Sequence, residues 1–195
     1  MACASINAGL NANACTVNPG GVAVLYLANY EDLVSIGLTG ATSTQTPLGS
    51  MISTMVGPGG TGSTVGFFYE YQLPKNTASA TESAQYNNDA LSGFLQTITF
   101  LIDGFSQDAR DRIMQMSKSL VVAVVQLVNG DLWAYGTENG LSMTAMEDTT
   151  GVARTDRQGY TITFSETESH MPYIVSESVT NGGPLVGWDD FVVVD

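Results

Sequence analysis

His170 is the only histidine of the chain and the first candidate for chemistry, because imidazole is the usual general base near neutral pH. It lies in an acidic stretch close to Ser165 and Ser169, and a serine hydroxyl beside a histidine is a potential nucleophile. Neither serine lies in a GxSxG turn, the motif that positions the nucleophile of many hydrolases. We therefore expect a partly exposed loop histidine without a catalytic role.

Two pairs of adjacent acids, Glu147-Asp148 and Asp189-Asp190, could supply oxygen ligands to Ca²⁺ or Mg²⁺. Neither pair has the ligand spacing of an EF-hand loop, and carboxylates are usually solvated at the surface. A structural zinc site is also unexpected, because one histidine and two cysteines are too few soft ligands. The sequence thus predicts no catalytic residue, no cofactor site and no metal site, and a protein that is not an enzyme.

The two cysteines, Cys3 and Cys15, both lie within the first fifteen residues, so they cannot form a disulfide framework for the whole fold. A local bridge between them and two free thiols both remain open, and free thiols are favoured since nothing indicates an oxidising compartment. The start of the chain has no basic residue and no long apolar run, so we expect no secretory signal. No stretch reaches the ~18 apolar residues of a membrane helix.

The charge balance is strongly acidic although few residues are charged. Six Lys and Arg against nineteen Asp and Glu give a net charge of −13, and charged residues make up only 13% of the chain. Tight binding to nucleic acid or to an anionic membrane needs clustered Lys and Arg, which this sequence lacks. Apolar residues make up 44% of the 195 residues, which is enough for the core of one domain.

Most of the chain has the patterns of β-strands. Runs rich in β-branched and aromatic residues, several of them alternating with polar residues, are bounded by glycines and turn residues. Asn129-Gly130 predicts a hairpin between two of these runs. The predicted strands are 22–30, 67–73, 77–86, 94–102, 120–128, 131–135, 141–146, 160–165, 173–179 and 191–194.

One amphipathic helix is predicted at about 106–120. Ser106 can cap its N-terminus, and Asp108 in the first turn suits the helix dipole. Its apolar stripe is formed by Phe105, Ala109, Ile113, Met116 and Leu120. Strands, one helix and then more strands predict a mainly β protein of two packed sheets, a sandwich or barrel, with a single flanking helix.

The chain divides into a short arm and one domain. Residues 1–20 are small and polar and are predicted to form an N-terminal arm before a single β domain at 21–195. Within this domain, 37–66 is a thirty-residue stretch rich in Gly, Ser and Thr that is predicted to be a long loop or hairpin. It carries an apolar patch made of Leu48, Met51, Ile52, Met55 and Val56.

Several short patterns follow one another in a definite order. They are GVAVLYLANYEDL at 21–33, FYEYQLPK at 68–75 with TASATESAQ at 77–85, QTITF at 96–100 before the predicted helix, NGDLWAYGTENGL at 129–141, and GYTITF at 159–164 followed by Pro172-Tyr173. In their order and spacing they resemble the tail tube proteins of tailed phages, in particular those of phages and prophages of the Bacteroidetes. The resemblance covers roughly residues 20–175.

The resemblance implies a module of two packed β-sheets with one flanking helix, which forms rings that are usually hexameric. The strands of neighbouring subunits join into a barrel around a lumen, and the rings stack into a tube that conducts the viral DNA. It also implies a location in the virion tail, assembly in the host bacterial cytoplasm, and contacts with other tail proteins: a terminator, a baseplate or tip, and in contractile tails a sheath. DNA is then a passing cargo without specific binding, and no membrane is involved.

Specific residues can be assigned to this expected assembly. The apolar patch Leu48, Met51, Ile52, Met55 and Val56 is predicted to contact a neighbouring subunit, together with the arm from Cys3 to Val17. Glu82 is predicted to be a lumen charge, because it lies in the middle of the polar strand 77–86. The alternative is a virion decoration or receptor-binding β-sandwich module, in which 37–66 would be a recognition loop.

Overall fold

The computed structural model of the chain describes residues 20–33, 35–39, 51–56, 66–175 and 191–194. In these residues the chain forms two β-sheets packed together and one α-helix, and the sheets do not close into a barrel. The predicted fold class, mainly β with two packed sheets and a flanking helix, is therefore confirmed as a sandwich.

The described residues form fourteen elements along the chain. They are β1 (Val22–Asn29), a 3₁₀ turn (Tyr30–Asp32), β2 (Ser35–Thr39), β3 (Met51–Val56), β4 (Gly66–Gln72), β5 (Ala78–Asn87), β6 (Ala90–Asp103), α1 (Gln107–Met116), β7 (Val121–Leu127), β8 (Leu132–Tyr135), β9 (Ser142–Thr149), β10 (Gly159–Glu168), β11 (Tyr173–Val175) and β12 (Phe191–Val194).

The larger sheet has eight strands in the order β12-β4-β1-β7-β8-β11-β3-β2. Its central strands are buried on both faces, which explains why β1 and β7 are almost continuously apolar rather than alternating. Leu25 and Val125 point into the core between the two sheets, whereas Tyr26 and Val124 belong to a second apolar cluster on the opposite face. Two strand pairs of this sheet, β3–β11 and β4–β12, are parallel.

The smaller sheet has four antiparallel strands in the order β5-β6-β10-β9. Its inner face covers the larger sheet with a row of apolar side chains, among them Ile98 and Phe100 of β6 and Ile162 and Phe164 of β10. The rings of Phe100 and Phe164 are stacked with their centroids 6.1 Å apart. Because side chains alternate along a strand, the residues between these face away from the core.

The helix α1 closes one side of the core. Ser106 caps it as predicted, since its Oγ accepts a hydrogen bond from the N–H of Ala109 at 3.0 Å. Ile113 and Met116 are buried in the core between the sheets. The helix ends at Met116 rather than near residue 120. The carbonyl of Leu120 accepts a hydrogen bond from the N–H of Tyr30, just after β1, so Leu120 lies beside the larger sheet and does not continue the helix.

The predicted hairpin at Asn129-Gly130 joins β7 and β8, and Gly130 has the positive φ of +98° that such a turn favours. For the segment 37–66, the hairpin alternative of the prediction agrees with the antiparallel pairing of β2 and β3, although β2 already begins at Ser35; β2 is one of the two outermost strands of the larger sheet. In the predicted apolar patch, the backbone of β3 includes Met51, Ile52, Met55 and Val56. Leu48, the arm from Cys3 to Val17 and the pair Asp189-Asp190 lie outside the described residues.

Candidate functional site

The four-stranded sheet has two long outer strands. Within the described part of the chain, β5 pairs only with β6, and β9 pairs only with β10. Outer strands carry unpaired N–H and C=O groups along one side, which are a template for pairing with another strand. Since each neighbour in the sheet is antiparallel, β5 and β9 run in opposite directions.

The outer face of this sheet is an array of hydroxyl groups. The Oγ1 atoms of Thr99 and Thr163 lie 3.1 Å apart across β6 and β10, and Ser165 donates to Thr144 at 3.1 Å across β10 and β9. Register and alternation place the following side chains on this hydroxyl face, interspersed with Leu95 and Leu101: Ser79, Thr81, Ser83, Thr97, Thr99, Thr161, Thr163, Ser165 and Thr167. By the same register, the carboxylates of Glu147 on β9 and of Asp103 at the end of β6 lie on this face, so the sheet presents a polar surface of hydroxyls with acidic groups toward one end.

Glu82 lies on the other face of β5. Its register partner is Gln96, which shares the inner face of β6 with Ile98 and Phe100. Partial burial raises the pKa of the Glu82 carboxyl. Burial, with the nearby Glu82 charge as a smaller cause, raises the pKa of Tyr135 to about 12. Glu82 is thus close to the rim of the core, and not among the residues of the hydroxyl face.

A second polar site lies at the end of the sheet where β10 stops. It is built around the tight loop Gly136 to Gly140, whose two end glycines have positive φ angles of +70° and +75°. The buried amide of Gln96 accepts the N–H of Gly136 at 3.0 Å and donates to the carbonyl of His170 at 3.1 Å. Tyr30 donates its hydroxyl to the carbonyl of Glu138. The loop is therefore held by Gln96 at its first residue and by Tyr30 at its middle.

Glu168, the last residue of β10, places a fully buried carboxylate against this loop. One oxygen is 3.0 Å from the N–H donor of Glu138, and the other is 3.1 Å from that of Asn139. Burial raises the pKa of the Glu168 carboxyl, while these amide donors and His170 act in the opposite direction. A buried carboxylate is tolerated here because hydrogen bonds replace its lost hydration.

Glu138 and His170 complete the site. Glu138 Oε2 accepts the hydroxyl of Ser169 at 2.6 Å and its N–H at 2.8 Å, and these two bonds lower the pKa of Glu138. His170 Nε2 lies 3.4 Å from an oxygen of Glu168 and 4.0 Å from an oxygen of Glu138. The three potential metal-ligating atoms are within 4.8 Å of one another, and no second group of this kind occurs among the described residues.

The candidate residues from the sequence lie in different places. His170 is in the loop after β10 with 24% of its side chain exposed, so the expected partly exposed position is confirmed. The serine hydroxyls beside it are used elsewhere, Ser169 on Glu138 and Ser165 on Thr144, which leaves the Ser–His arrangement without support. Glu147 and Asp148 are consecutive on β9 and point to opposite faces, so they cannot share one metal ion.

Glu138 and Gln96 are the site residues that the sequence did not reveal. Glu138 lies 30 residues before Glu168 in the chain, and no spacing motif links the two. One signal in the sequence was available: Gly136 and Gly140 flank Glu138-Asn139, and closely spaced glycines are typical of a tight loop.

The helix α1 has ten residues, and within the described ranges no helix is long and apolar enough to cross a membrane. No protein-family model, curated protein or solved structure matches the chain. The comparisons therefore neither support nor contradict the resemblance to tail tube proteins.

Proposed function

We propose that this protein is a structural subunit of a phage tail tube, without catalytic activity, that oligomerises into stacked rings around a lumen through which the viral DNA passes. The observation that carries the proposal is the four-stranded sheet: among the residues that the structure describes, its two outer strands have no further partner strand, and its outer face is lined by hydroxyls. The sequence patterns that resemble tail tube proteins provide its second support.

The directions of β5 and β9 suit ring formation. When copies are related by rotation about an axis parallel to the strands, β9 of one copy meets β5 of the next, and the two strands are antiparallel. The alternation within each sheet then continues across the junction. Such a contact is head-to-tail, and it closes into a ring when the rotation divides the circle. Pairing also removes the exposed edges, which would otherwise invite uncontrolled association.

The hydroxyl face is the proposed wall of the lumen. Binding of DNA by counterion release requires Lys or Arg at the surface, and the strands of this face carry neutral hydroxyls, two leucines and the carboxylates of Glu147 and Asp103. Hydroxyl groups hold water at the wall without a net charge that would attract phosphates. The overall charge of −13 adds long-range repulsion of DNA. DNA would therefore pass as a cargo without specific binding.

Contacts between rings and with other tail proteins would involve other parts of the chain. The hairpin of β2 and β3 lies at the far edge of the larger sheet, and we assign it to stacking between rings, with the apolar patch as its contact surface. Tail proteins that end the tube, and a sheath in a contractile tail, would bind the rings after assembly. The protein would then be located in the virion tail, after assembly in the cytoplasm of the host bacterium.

Electron microscopy of the purified full-length protein over a range of concentrations tests the proposal. We expect rings or tubes, with mass per ring consistent with about six subunits. A chain that stays monomeric or trimeric at high concentration, with and without tail partners, would contradict it. A saturable partner such as a glycan would then favour the decoration or receptor-binding module.

A further inference from the structure

We propose that Glu138, Glu168 and His170 form a binding site for a divalent transition-metal ion, with Zn²⁺ as the preferred ion. The ligands would be one carboxylate oxygen from each glutamate and Nε2 of His170, which lie within 4.8 Å of one another. The site does not depend on the proposed tube function. It departs from the expectation of no metal site, because its ligands come together only through the fold.

The hydrogen bonding of His170 fixes which ring nitrogen can bind a metal. Its Nδ1 lies 2.9 Å from the carbonyl oxygen of Met171. A carbonyl oxygen can only accept, so Nδ1 carries the hydrogen and Nε2 of the neutral ring holds a lone pair. Metal-ligating histidines usually have this arrangement, with the other ring N–H donated to a carbonyl or carboxylate.

The lone pair on Nε2 of His170 faces the oxygens of Glu168 and Glu138, at 3.4 and 4.0 Å. Three electron-pair donors therefore converge on one point. Their mutual repulsion is relieved either by a proton on Nε2 or by a cation bound between them. Two carboxylates and a neutral imidazole carry a charge of about −2, which matches a divalent ion and would compensate the buried charge of Glu168.

Both carboxylates are held in place by groups outside the ligand set. The N–H groups of Glu138 and Asn139 orient the Glu168 carboxylate, and Ser169 orients that of Glu138 through two hydrogen bonds. The loop that carries Glu138 is itself fixed by Gln96 and Tyr30. Hydrogen-bonded ligands on a fixed frame bind a metal with little ordering cost.

The donor set selects the class of metal. Tetrahedral Zn²⁺ with bonds near 2.1 Å separates its ligand atoms by about 3.4 Å, which is the separation of His170 from Glu168. The Glu138 oxygen lies 4.0 Å from Nε2 of His170 and within 4.8 Å of the Glu168 oxygen, so it would need to move closer by up to about 1.4 Å; 42% of its side chain is exposed. Solvent can therefore reach the site and supply a water as fourth ligand. Mg²⁺ and Ca²⁺ prefer oxygen ligands alone, so a nitrogen ligand favours Zn²⁺ over them.

Metal titration of the untagged full-length chain by calorimetry tests the site, with Zn²⁺ and Mg²⁺ as probes and Co²⁺ absorption as a measure of geometry. The titration is repeated on the Cys3→Ser/Cys15→Ser variant, which lacks the two thiols that could also bind Zn²⁺. We expect one Zn²⁺ per chain, no comparable binding of Mg²⁺, and a thermal midpoint that rises with Zn²⁺ concentration. Glu138→Gln and His170→Gln should each weaken Zn²⁺ binding by at least ~10-fold.

Glu166→Gln is the matched control, because Glu166 has the same charge on the same strand and its carboxylate accepts the N–H of Thr167. It should leave Zn²⁺ binding unchanged. Circular dichroism verifies that each variant is folded. If His170→Gln does not fold, Glu138→Gln still tests the site, because it changes the more exposed of the ligands. Absence of saturable Zn²⁺ binding, or equal binding by all variants, would overturn the proposal. An imidazolium with both ring N–H signals in the presence of Zn²⁺ would do the same.

Discussion

The carboxylate of Glu168 accepts the backbone N–H of Glu138 at 3.0 Å, which joins the end of β10 to a loop that lies 30 residues earlier in the chain. The adjacent N–H of Asn139 is bound by the same carboxylate at 3.1 Å. Two backbone donors of a tight loop thus depend on a single buried side chain.

Glu168→Ala should therefore destabilise the protein by about 2–4 kcal/mol, because it removes the charged acceptor of both loop N–H groups and leaves a cavity where the buried side chain was. Urea unfolding in the presence of EDTA measures this loss without any contribution from metal. Glu166→Ala is the control, with an expected change within about 0.5 kcal/mol. Equal effects of the two substitutions would mean that the loop is held by other contacts.

The loop glycines allow a second stability comparison. A Cβ at Gly140 would lie 2.8 Å from the ring of Tyr30 and 3.0 Å from Leu120, at a φ of +75°. Gly130 has a φ of +98°, and an added Cβ would meet nothing within 4 Å. Gly130→Ala should therefore cost only the backbone strain, ~1 kcal/mol, whereas Gly140→Ala should cost about 2–4 kcal/mol. Thermal unfolding of both variants checks the order, and a larger loss at Gly130 would contradict the packing described around Tyr30.

Head-to-tail pairing of β9 with β5 makes a prediction about mixtures. Two lysines on an outer strand discourage pairing, so Thr81→Lys/Ser83→Lys blocks β5, and Ala145→Lys/Glu147→Lys blocks β9. Each variant alone should stay monomeric by sedimentation. A mixture of the two variants should form dimers but nothing larger. The unblocked β9 of one variant pairs with the unblocked β5 of the other, and the two strands left over in the dimer are both blocked.

Gln115→Lys on the exposed side of α1 is the control for the added charge and should assemble like the unmodified protein. Mixtures that remain monomeric, or a single variant that dimerises through its own free strand, would exclude the proposed contact.

The hydroxyl face should become enclosed when the protein assembles. In the Cys3→Ser/Cys15→Ser variant, a thiol introduced by Thr99→Cys should react with small iodoacetamide in the assembled state but not with a maleimide on a large polymer. Thr99 is near the middle of that face, where its hydroxyl meets Thr163. Gln115→Cys should react with both reagents. If the thiol of Thr99→Cys reacts with both reagents, the hydroxyl face lies on the outside of the assembly. If it reacts with neither reagent, the face lies in a dry contact between subunits.

The elements of this fold were largely predictable from the sequence because their signals are local. The continuous apolar runs of β1 and β7 reflect burial on both faces, and Asn129-Gly130 specifies its own turn. The alternation in 67–73 predicts Phe67, Tyr69, Tyr71 and Leu73 on one face of β4. The structure buries Phe68 on the opposite face, because β4 lies inside the larger sheet, whereas Tyr69 is 42% exposed.

The faces and contacts of polar residues were less predictable, since they depend on register between distant strands. Glu82 was predicted to be a lumen charge from its position in a polar strand, and this stays a prediction; its pairing with Gln96 places it on the face of β5 opposite the hydroxyl face. Gln96 itself lies in the run QTITF, whose pattern does not distinguish a solvated amide from one that ties two loops together. The contact of Glu138 with Glu168 exists only after β10 and the loop from Gly136 to Gly140 have reached their places.

The opposite directions of β5 and β9 have a consequence for any assembly that uses them. All copies joined in this way point the same way along the axis, so the two ends of a ring expose different groups. One end carries the turn between β5 and β6 and the cluster around Glu168, whereas the other carries the start of α1. A tube built from such rings has a direction, with two different ends. A protein that recognises one end therefore finds no matching surface at the other.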